Sequence, residues 1–409
     1  MIVGTDLPDT IDGAGGNDVI CGLEGEDNLA GGEGDDRLFG GLDRTGQWIV
    51  EYWADEIKPG PGDDFVDLGL DPNAGSPVVV DKEGNLYHPT DVLSFGDSAT
   101  GVDVDLTGVD GLGRAVGEGT DTIVVAGVMS VLGSAHDDRI TGSPYGDTIW
   151  SGRGNDVLSG GDGDDKLNPD MGASKYDDYH GLVDEREDRE HVSPDTVHGG
   201  AGDDTIWSWW GPVTLVAGDG NDSVVVIDEL DGHGTADGSQ ISGGNGDDSI
   251  TALSVRGLQV RGGDGDDQIT HDVFALGEPT ITDGGRGDDL LTLGSGTKLG
   301  VSDRITVDRR RSHIQIERTI ASMSGYEHHT LSGPRLNWVY LGTGAKDDVT
   351  LRASRSLRAQ TFGGRDRVVG TNGRDVLDLG PGVDTVAGRG GPDICLDAER
   401  AKSCEVRRR

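Results

Sequence analysis

A nine-residue pattern that recurs in register is the feature that most constrains the fold of this chain. Residues 13–21, 22–30 and 31–39 are three such units without a gap between them. Each fits Gly-Gly-x-Gly-x-Asp-x-U-x, where U is a large aliphatic residue, or misses it by one residue. A repeat of this length favours an elongated solenoid over independent globular domains, because each unit can bury its apolar face only against its neighbours.

Each position of the repeat has a physical reading. Glycine at positions 1, 2 and 4 allows positive φ and a close approach of backbones, which suits a tight loop whose carbonyls converge on a cation. Aspartate at position 6 supplies a hard oxygen ligand of the kind that Ca²⁺ prefers. The x-U-x tail predicts a three-residue strand whose middle side chain points inward. Two units then form one coil, and the predicted fold is all-β: a right-handed parallel β-roll or β-helix solenoid with irregular loop insertions.

The register returns along most of the chain. Units begin at 133, 142, 151 and 160, at 190, 199, 208 and 217, at 243, 262 and 284, and at 361, 370, 379 and 388. The unit 208–216 has Val213 where the aspartate belongs, so we expect its strand without its metal loop. In the last set, position 5 is Arg365, Arg374, Val383 and Pro392 instead of the usual Asp or Asn. Nearby cations weaken the attraction for Ca²⁺, so this block reads as a structural cap.

The spacing of the units divides the chain into seven segments. We predict calcium repeat blocks at 1–43, 133–168 and 190–292, an irregular β segment with partial repeats at 44–132, a charged surface loop at 169–189, a β segment without calcium loops at 293–360, and a C-terminal repeat cap with a basic tail at 361–409.

The composition of the chain indicates that buried side chains alone do not stabilise the fold and that bound cations supply the remaining free energy. Each unit offers one reliable inward aliphatic, worth about 1.5–3 kcal/mol when buried, whereas ordering nine residues costs roughly 1–2 kcal/mol each. The net charge is −41, with the acidic excess in 1–292 and a basic excess in 293–409. Such a chain is expected to repel itself without metal, and its acidic part is not suited to nucleic acid or anionic membranes.

The cysteines and the chain start bear on the compartment. Cys395 and Cys404 lie close together near the C-terminus and could close a small disulfide loop if the chain is exported, which leaves Cys21 odd. No apolar run is long enough to span a membrane. No signal peptide is visible, and repeat-like sequence begins at once, so the chain reads as a mature or trimmed product.

These units resemble those of the RTX (repeats-in-toxin) calcium-binding proteins. The resemblance implies multiple Ca²⁺ ions, each between loops stacked on one edge of the roll, and an extracellular location, either secreted or associated with the cell surface. The Arg-rich, cysteine-bearing C-terminus is similar to that of actinobacterial repeat proteins. Loops on one edge are two units apart, which implies aspartate pairs: Asp9 with Asp27, Asp18 with Asp36, Asp138 with Asp156, Asp147 with Asp165, Asp204 with Asp222, Asp366 with Asp384, and Asp375 with Asp393.

The residues expected to bind metal are the position-6 aspartates and glycines of the best-matching loops. They are Asp9, Gly13, Gly16, Asp18, Gly25, Asp27, Gly32, Gly34, Asp36, Asp138, Asp147, Gly154, Asp156, Gly161, Gly163, Asp165, Gly200, Gly202, Asp204, Asp222, Gly244, Gly246, Asp248, Gly263, Gly265, Asp267, Gly285, Gly287 and Asp289. Asp195 would pair with Val213, so that site is in doubt.

Two functions are compatible with this sequence. The first is an extracellular calcium-binding protein whose loops bind Ca²⁺ and drive folding of a β-roll scaffold without catalysis. The second is a secreted polysaccharide-active, lyase- or epimerase-like, or carbohydrate-binding β-helix, with cell-surface polysaccharide as a partner. Trp150 and Trp207 at outward position 9 could stack on sugars, but we expect the insertions 169–189 and 226–240 to pack over them. The chain has neither an H-E-x-x-H metalloprotease motif nor a G-x-S-x-G nucleophile elbow.

Overall fold

The computed structural model of this chain describes most of the repeat-bearing sequence. The described residues are 1–41, 55–69, 79–80, 86–87, 91–108, 111–125, 127, 129–170, 193–209, 211–227, 236–272, 280–294, 304–316, 319–333, 336–352 and 354–407. They form two compact units, Met1–Gly211 and Pro212–Arg409.

The first unit is built from short strands separated by tight loops. Its strands are β1 (Ile2–Val3), β2 (Thr10–Asp12), β3 (Val19–Leu23), β4 (Asn28–Ala30), β5 (Arg37–Gly41), β6 (Glu56–Lys58), β7 (Phe65–Asp67), β8 (Val79–Val80), β9 (Leu86–Tyr87), β10 (Val92–Ser94), β11 (Asp103–Asp105), β12 (Leu112–Val116), β13 (Thr120–Val124), β14 (Ser130–Leu132), β15 (Arg139–Thr141), β16 (Thr148–Trp150), β17 (Val157–Asp162), β18 (Lys166–Asn168), β19 (Asp195–Ala201) and β20 (Thr205–Ser208).

The second unit is also built from short strands, and it contains one turn of 3₁₀ helix at Arg309–Arg311. Its strands are β21 (Val213–Asp219), β22 (Ser223–Ile227), β23 (Gln240–Asn245), β24 (Ser249–Leu253), β25 (Gln259–Asp264), β26 (Gln268–Asp272), β27 (Ile281–Arg286), β28 (Leu290–Gly294), β29 (Arg304–Asp308), β30 (His313–Ile316), β31 (Thr319–Ser324), β32 (His328–Ser332), β33 (Asn337–Leu341), β34 (Asp348–Arg352), β35 (Ser356–Gln360), β36 (Arg367–Val369), β37 (Val376–Asp378), β38 (Thr385–Ala387), β39 (Ile394–Leu396), β40 (Arg400–Lys402) and β41 (Glu405–Arg407).

Alternate strands of the first unit form two faces of a parallel roll. On one face β2, β4, β6, β10, β14, β16, β18 and β20 pair in parallel in that order. On the other face β15, β17 and β19 pair in parallel, so that Ile140 lies beside Leu158 and Leu158 beside Val197. The nine-residue period thus places equivalent residues of successive coils side by side. The all-β, parallel β-roll prediction is confirmed.

One face of each unit reverses direction at an inserted strand. In the first unit β7 pairs in parallel with β13, β12 lies antiparallel between β13 and β11, and β11 pairs in parallel with β15. In the second unit β27, β31, β30, β29 and β33 repeat this arrangement, with β30 as the antiparallel strand. The opposite face of the second unit has no such reversal among its described strands, where β28, β32 and β34 pair in parallel.

The core of each unit is a column of aliphatic side chains from the middle of the strands. In the first unit Ile20, Leu38, Ile149, Leu158 and Leu167 are all 0 % exposed. These are the position-8 residues of the repeat, so the prediction that they point inward is confirmed. Strand residues on either side of them are half-buried or exposed, for example in the pattern of Thr148–Trp150 and of Asp348–Arg352.

Some of the predicted segments cannot be compared with the structure. Residues 171–189 of the predicted surface loop lie outside the described residues, and the seven segment boundaries stay predictions. The segment predicted to hold strands without calcium loops does contain β29–β35. Among the described residues, none lies in a helix long and apolar enough to cross a membrane.

The C-terminal coils are joined by a covalent cross-link. Cys395 in β39 is fully buried and forms a disulfide with Cys404 nine residues later. The two residues lie in and just before the adjacent parallel strands β39 and β41. Cys21, in β3, is a free, half-buried cysteine. The bond therefore ties the last strand, β41, to the coil before it.

We expect Cys404→Ser to destabilise the second unit even in saturating Ca²⁺. Loss of a native disulfide of this kind costs about 2–4 kcal/mol, because the unfolded chain regains conformational freedom. Thermal melts of the oxidised protein would show the shift. Cys21→Ser is the matched control and should leave the melting temperature nearly unchanged. Equal melting of Cys404→Ser and wild type would contradict the expectation.

Candidate metal sites

The position-6 aspartates form hydrogen-bonded ladders along the edges of the roll. The backbone N–H of Asp138 donates to Oδ1 of Asp156 at 2.8 Å, and that of Asp147 to Oδ1 of Asp165 at 2.7 Å. All four residues are at most 3 % exposed. Each aspartate therefore reaches back to the coil before it and fixes the spacing of two adjacent loops.

The same contact brings together nearly all the predicted aspartate pairs. The N–H to Oδ1 distances are 2.9 Å for Asp9–Asp27, 2.7 Å for Asp18–Asp36, 2.8 Å for Asp366–Asp384 and 3.0 Å for Asp375–Asp393. The contact also joins three pairs that were not predicted, at 2.9 Å each: Asp222–Asp248, Asp248–Asp267 and Asp267–Asp289. Asp195, which was expected to face Val213, accepts from the N–H of Asp156 at 2.9 Å. The Asp204–Asp222 pair spans the two compact units and stays a prediction.

Several ladder members were missed by the sequence reading. Asp55, Asp64, Asp91 and Asp121 accept from the N–H groups of Asp27, Asp36, Asp55 and Asp64 at 2.8–3.1 Å. Asp347 likewise donates its N–H to Asp366. Each of the missed residues precedes x-aliphatic, as in Asp-Phe-Val and Asp-Val-Leu. For Asp55 and Asp91 the tail Asp-x-U alone was the available signal, since the glycines that usually mark the loop do not precede them, whereas Gly60 and Gly62 precede Asp64 in a partial unit.

One oxygen of many of these carboxylates is buried without a hydrogen-bond partner. This holds for Oδ2 of Asp27, Asp36, Asp64, Asp156, Asp165, Asp248, Asp267, Asp289, Asp366, Asp384 and Asp393. Buried polar atoms in native proteins are almost always satisfied, and an unsatisfied one is costly. An unpaired, buried carboxylate oxygen that recurs at the same position of the repeat therefore indicates that its partner is a positively charged ion.

Burial raises the pKa of the same carboxyl groups. Desolvation, opposed by the backbone hydrogen bond, moves the pKa of Asp248 to about 7 and that of Asp165 to about 8. For Asp195, desolvation raises the pKa to about 9, and neighbouring carboxylates add to the effect. The ionised form that a metal requires is thus unfavourable in these loops near neutral pH unless a cation balances it.

The glycines of the loops allow carbonyls of successive coils to approach closely. All predicted loop glycines except Gly13 have φ between 92° and 150°, a region that favours glycine. At Gly263 and Gly265 an added Cβ would lie 1.9 Å and 2.1 Å from the carbonyl oxygens of Gly244 and Gly246 in the preceding coil. Any larger residue would push the two loops apart, so these positions keep a narrow, carbonyl-lined gap.

These loops fit Ca²⁺ and not a metal held by side chains alone. Among the described residues, no three His, Cys, Asp or Glu side chains converge on a point that could hold an ion. Each gap instead offers carboxylate oxygen from position 6 together with backbone carbonyls, which is the all-oxygen ligand set that Ca²⁺ takes. The predicted residues Gly244, Gly246, Asp248, Gly263 and Asp267 would hold such an ion.

Not every predicted aspartate presents an open oxygen. Oδ1 of Asp138 accepts from Val102 N–H at 2.8 Å and from the Ser134 hydroxyl at 2.7 Å, and its Oδ2 accepts from Ser134 N–H at 2.6 Å. Asp147 has the same arrangement with Met129 and Ser143. Asp9 accepts from the N–H and hydroxyl of Thr5 through Oδ2.

A second ladder runs along position 5, in the exposed part of the loops. The N–H of Asp266 donates to Oδ1 of Asp247, and the N–H of Asp288 donates to Oδ1 of Asp266, both at 2.8 Å. Here each side chain reaches forward to the next coil, opposite to the position-6 ladder. These contacts give the position-5 aspartates a structural role in spacing the loops.

Gly263→Ala should destabilise the second unit by more than the about 1–2 kcal/mol that a left-handed backbone costs an L-residue. The added methyl group would also meet the Gly244 carbonyl. Circular dichroism melts at fixed Ca²⁺ would measure the effect. Gly344→Ala is the control, since nothing lies within 4 Å of its added Cβ. Similar melting of the two variants would refute the carbonyl-stacking explanation.

Comparison with known proteins agrees with this site. The model of the RTX calcium-binding nonapeptide repeat (four copies) matches residues 2–29, 22–44, 132–167, 193–224, 233–254 and 360–395. No curated protein matches the chain. The matched regions contain most of the open aspartate loops of both units. The chain therefore contains RTX calcium-binding nonapeptide repeats in both units, and multiple Ca²⁺ ions are the cofactors of these repeats.

Proposed function

We propose that this protein is an extracellular scaffold that folds when its loops bind Ca²⁺. The observation that carries the proposal is the repeated buried Oδ2 atom without a partner, at the same position in coil after coil. A cation between the loops would satisfy these atoms and offset the repulsion between neighbouring carboxylates. The ions would then be an integral part of the folded roll, which would not be stable without them.

The charge of the chain supports a folding role for the ions. With a net charge of −41 and 33 % hydrophobic residues, the unfolded chain resembles the composition of disordered segments. Because each ion binds only where two loops are already stacked, its binding free energy is available only to the folded state. Calcium concentration would thus set the balance between the unfolded chain and the roll.

The disulfide supports an extracellular location. A Cys395–Cys404 bond persists in oxidising compartments and is rare in the reducing cytosol. Calcium sites of extracellular modules typically bind at about 10⁻⁴–10⁻³ M, far above cytosolic free calcium. A chain with such sites would stay unfolded during export and fold outside.

The alternative of a polysaccharide-cleaving enzyme has less support. The structure does assemble an Arg-His-Tyr-Asp group: the Arg309 guanidinium lies 2.6 Å and the Tyr340 hydroxyl 3.1 Å from Oδ1 of Asp347, and Tyr340 is 3.5 Å from Nδ1 of His329. However, Tyr340 and Asp347 are 0 % exposed and His329 is 2 % exposed. Burial lowers the pKa of His329 to about 3. The group therefore lies in the interior, where a polymer has no access.

Calcium removal should unfold the chain. In excess chelator we expect the β-strand circular dichroism signal to be lost, and addition of Ca²⁺ should restore it. At a free Ca²⁺ concentration of about 100 times Kd, each site contributes about 2.7 kcal/mol. Mg²⁺ at the same concentration is the control and should restore little structure, since it demands a tighter octahedral site. A strand signal and melting temperature unaffected by chelator would sink the proposal.

A further inference from the structure

The residue at position 2 divides the loops into two conformations. Five described loops have Ser or Thr there: Thr5, Ser134, Ser143, Thr343 and Thr371. In all five, the position-2 backbone N–H donates to Oδ2 of the position-6 aspartate, at 2.5–2.8 Å. We call these closed loops. The oxygen that is orphaned elsewhere has a partner in each of them.

The closed loop is held by further bonds of the same side chain. In the loop of Ser143, the hydroxyl donates to Oδ1 of Asp147 at 3.1 Å and accepts from the N–H of Tyr145 at 3.2 Å. In the loop of Thr371, the corresponding distances, to Asp375 and from Gly373, are both 2.9 Å. The loop thus satisfies its own carboxylate without an ion.

The loops whose position-6 Oδ2 has no partner, which we call open, have a left-handed residue at position 2. Gly161 has φ 116° in the loop of Asp165. The conformation persists where position 2 is not glycine, as at Leu23 (94°), Phe362 (68°) and Arg389 (73°). L-residues there cost about 1–2 kcal/mol. The corresponding carboxylates of Asp27, Asp366 and Asp393 have the orphaned Oδ2.

Three of the five closed loops follow coils that have no carboxylate to offer, whereas the closed loop of Asp347 follows Glu327. The residue of the preceding coil that donates its N–H to Oδ1 is Val102 for Asp138, Met129 for Asp147, and Leu357 for Asp375. For the open loops of Asp156, Asp165 and Asp393, the corresponding residue is an aspartate. A gap with only one carboxylate would be a poor calcium site, and there the loop is closed by hydrogen bonds.

We propose that Ser or Thr at position 2 closes a loop to metal and that, where the preceding coil lacks a carboxylate, the closed loop marks the first coil of a run of calcium sites. The inference rests on the proposed calcium binding and deepens it. Asp138, Asp147 and Asp375 then serve as hydrogen-bonded ends of a run and do not contribute carboxylate ligands, whereas Asp156, Asp165 and Asp393 do. This narrows the expected ligand set, in which Asp9, Asp138 and Asp147, all from closed loops, were included.

Asp147→Ala and Asp165→Ala test the inference as a matched pair. The residues occupy the same edge in adjacent coils, and each is 1 % exposed. Native mass spectrometry of the full chain in Ca²⁺ would count bound ions, and melts over a range of Ca²⁺ concentrations would give the calcium dependence of Tm. Asp165→Ala should bind at least one ion fewer and show a weaker dependence. Asp147→Ala should keep the wild-type ion count and melt lower at every Ca²⁺ concentration.

Ser143→Ala provides a second test of the same loop in case Asp147→Ala does not fold. It removes the two hydroxyl hydrogen bonds but keeps the N–H bond to Oδ2, so it should lower Tm without changing the ion count. Asp375→Ala and Asp393→Ala repeat the comparison in the second unit. Wild-type protein that binds no Ca²⁺ would overturn the proposed function. Wild-type protein that binds calcium, with Asp147→Ala and Asp165→Ala losing ions equally, would overturn only the present inference.

Discussion

The hydrogen bond from the backbone of one coil to the position-6 carboxylate of the next is the interaction on which this roll depends. Strands such as Arg139–Thr141 and Thr148–Trp150 are only three residues long, so each coil makes few ladder bonds of the ordinary kind. The carboxylate adds one bond at every loop, and it fixes the spacing at which carbonyls face one another. Because that bond occupies only Oδ1, it also leaves the second oxygen facing the gap.

The fold could be predicted from the repeat because two of its positions each allow only one physical interpretation. The aliphatic at position 8 has to be buried, and Ile149 and Leu158 are. The aspartate at position 6 recurs every two units on one edge, which brings Asp147 to Asp165. The reversals at β12 and β30 could not be predicted, since an antiparallel strand inserted into a roll carries the same alternating pattern as a parallel one.

The candidate site was predictable in its residue types and less so in its detail. The Gly-rich loops correctly predict that Asp248 and Asp267 lie at stacked positions. Asp55 and Asp91 also belong to the ladder, but no glycine-rich sequence precedes them from which this could be predicted. The difference between open and closed loops is visible in the sequence as the absence or presence of Ser or Thr at position 2. Its meaning depends on the sign of φ and on the residue of the preceding coil, and neither can be read from one unit alone.

The reversed strand of the first unit has a consequence for the order in which the chain can assemble. The coil that contains Asp64 contacts Asp121, 57 residues later, instead of the next unit along the chain. If the roll grows coil by coil, the strand after Asp64 cannot pair with β13 until the whole intervening segment has been added. Contacts of long sequence separation slow folding, so growth would pause at the reversal. During that pause the last folded coil would expose an unpaired strand edge.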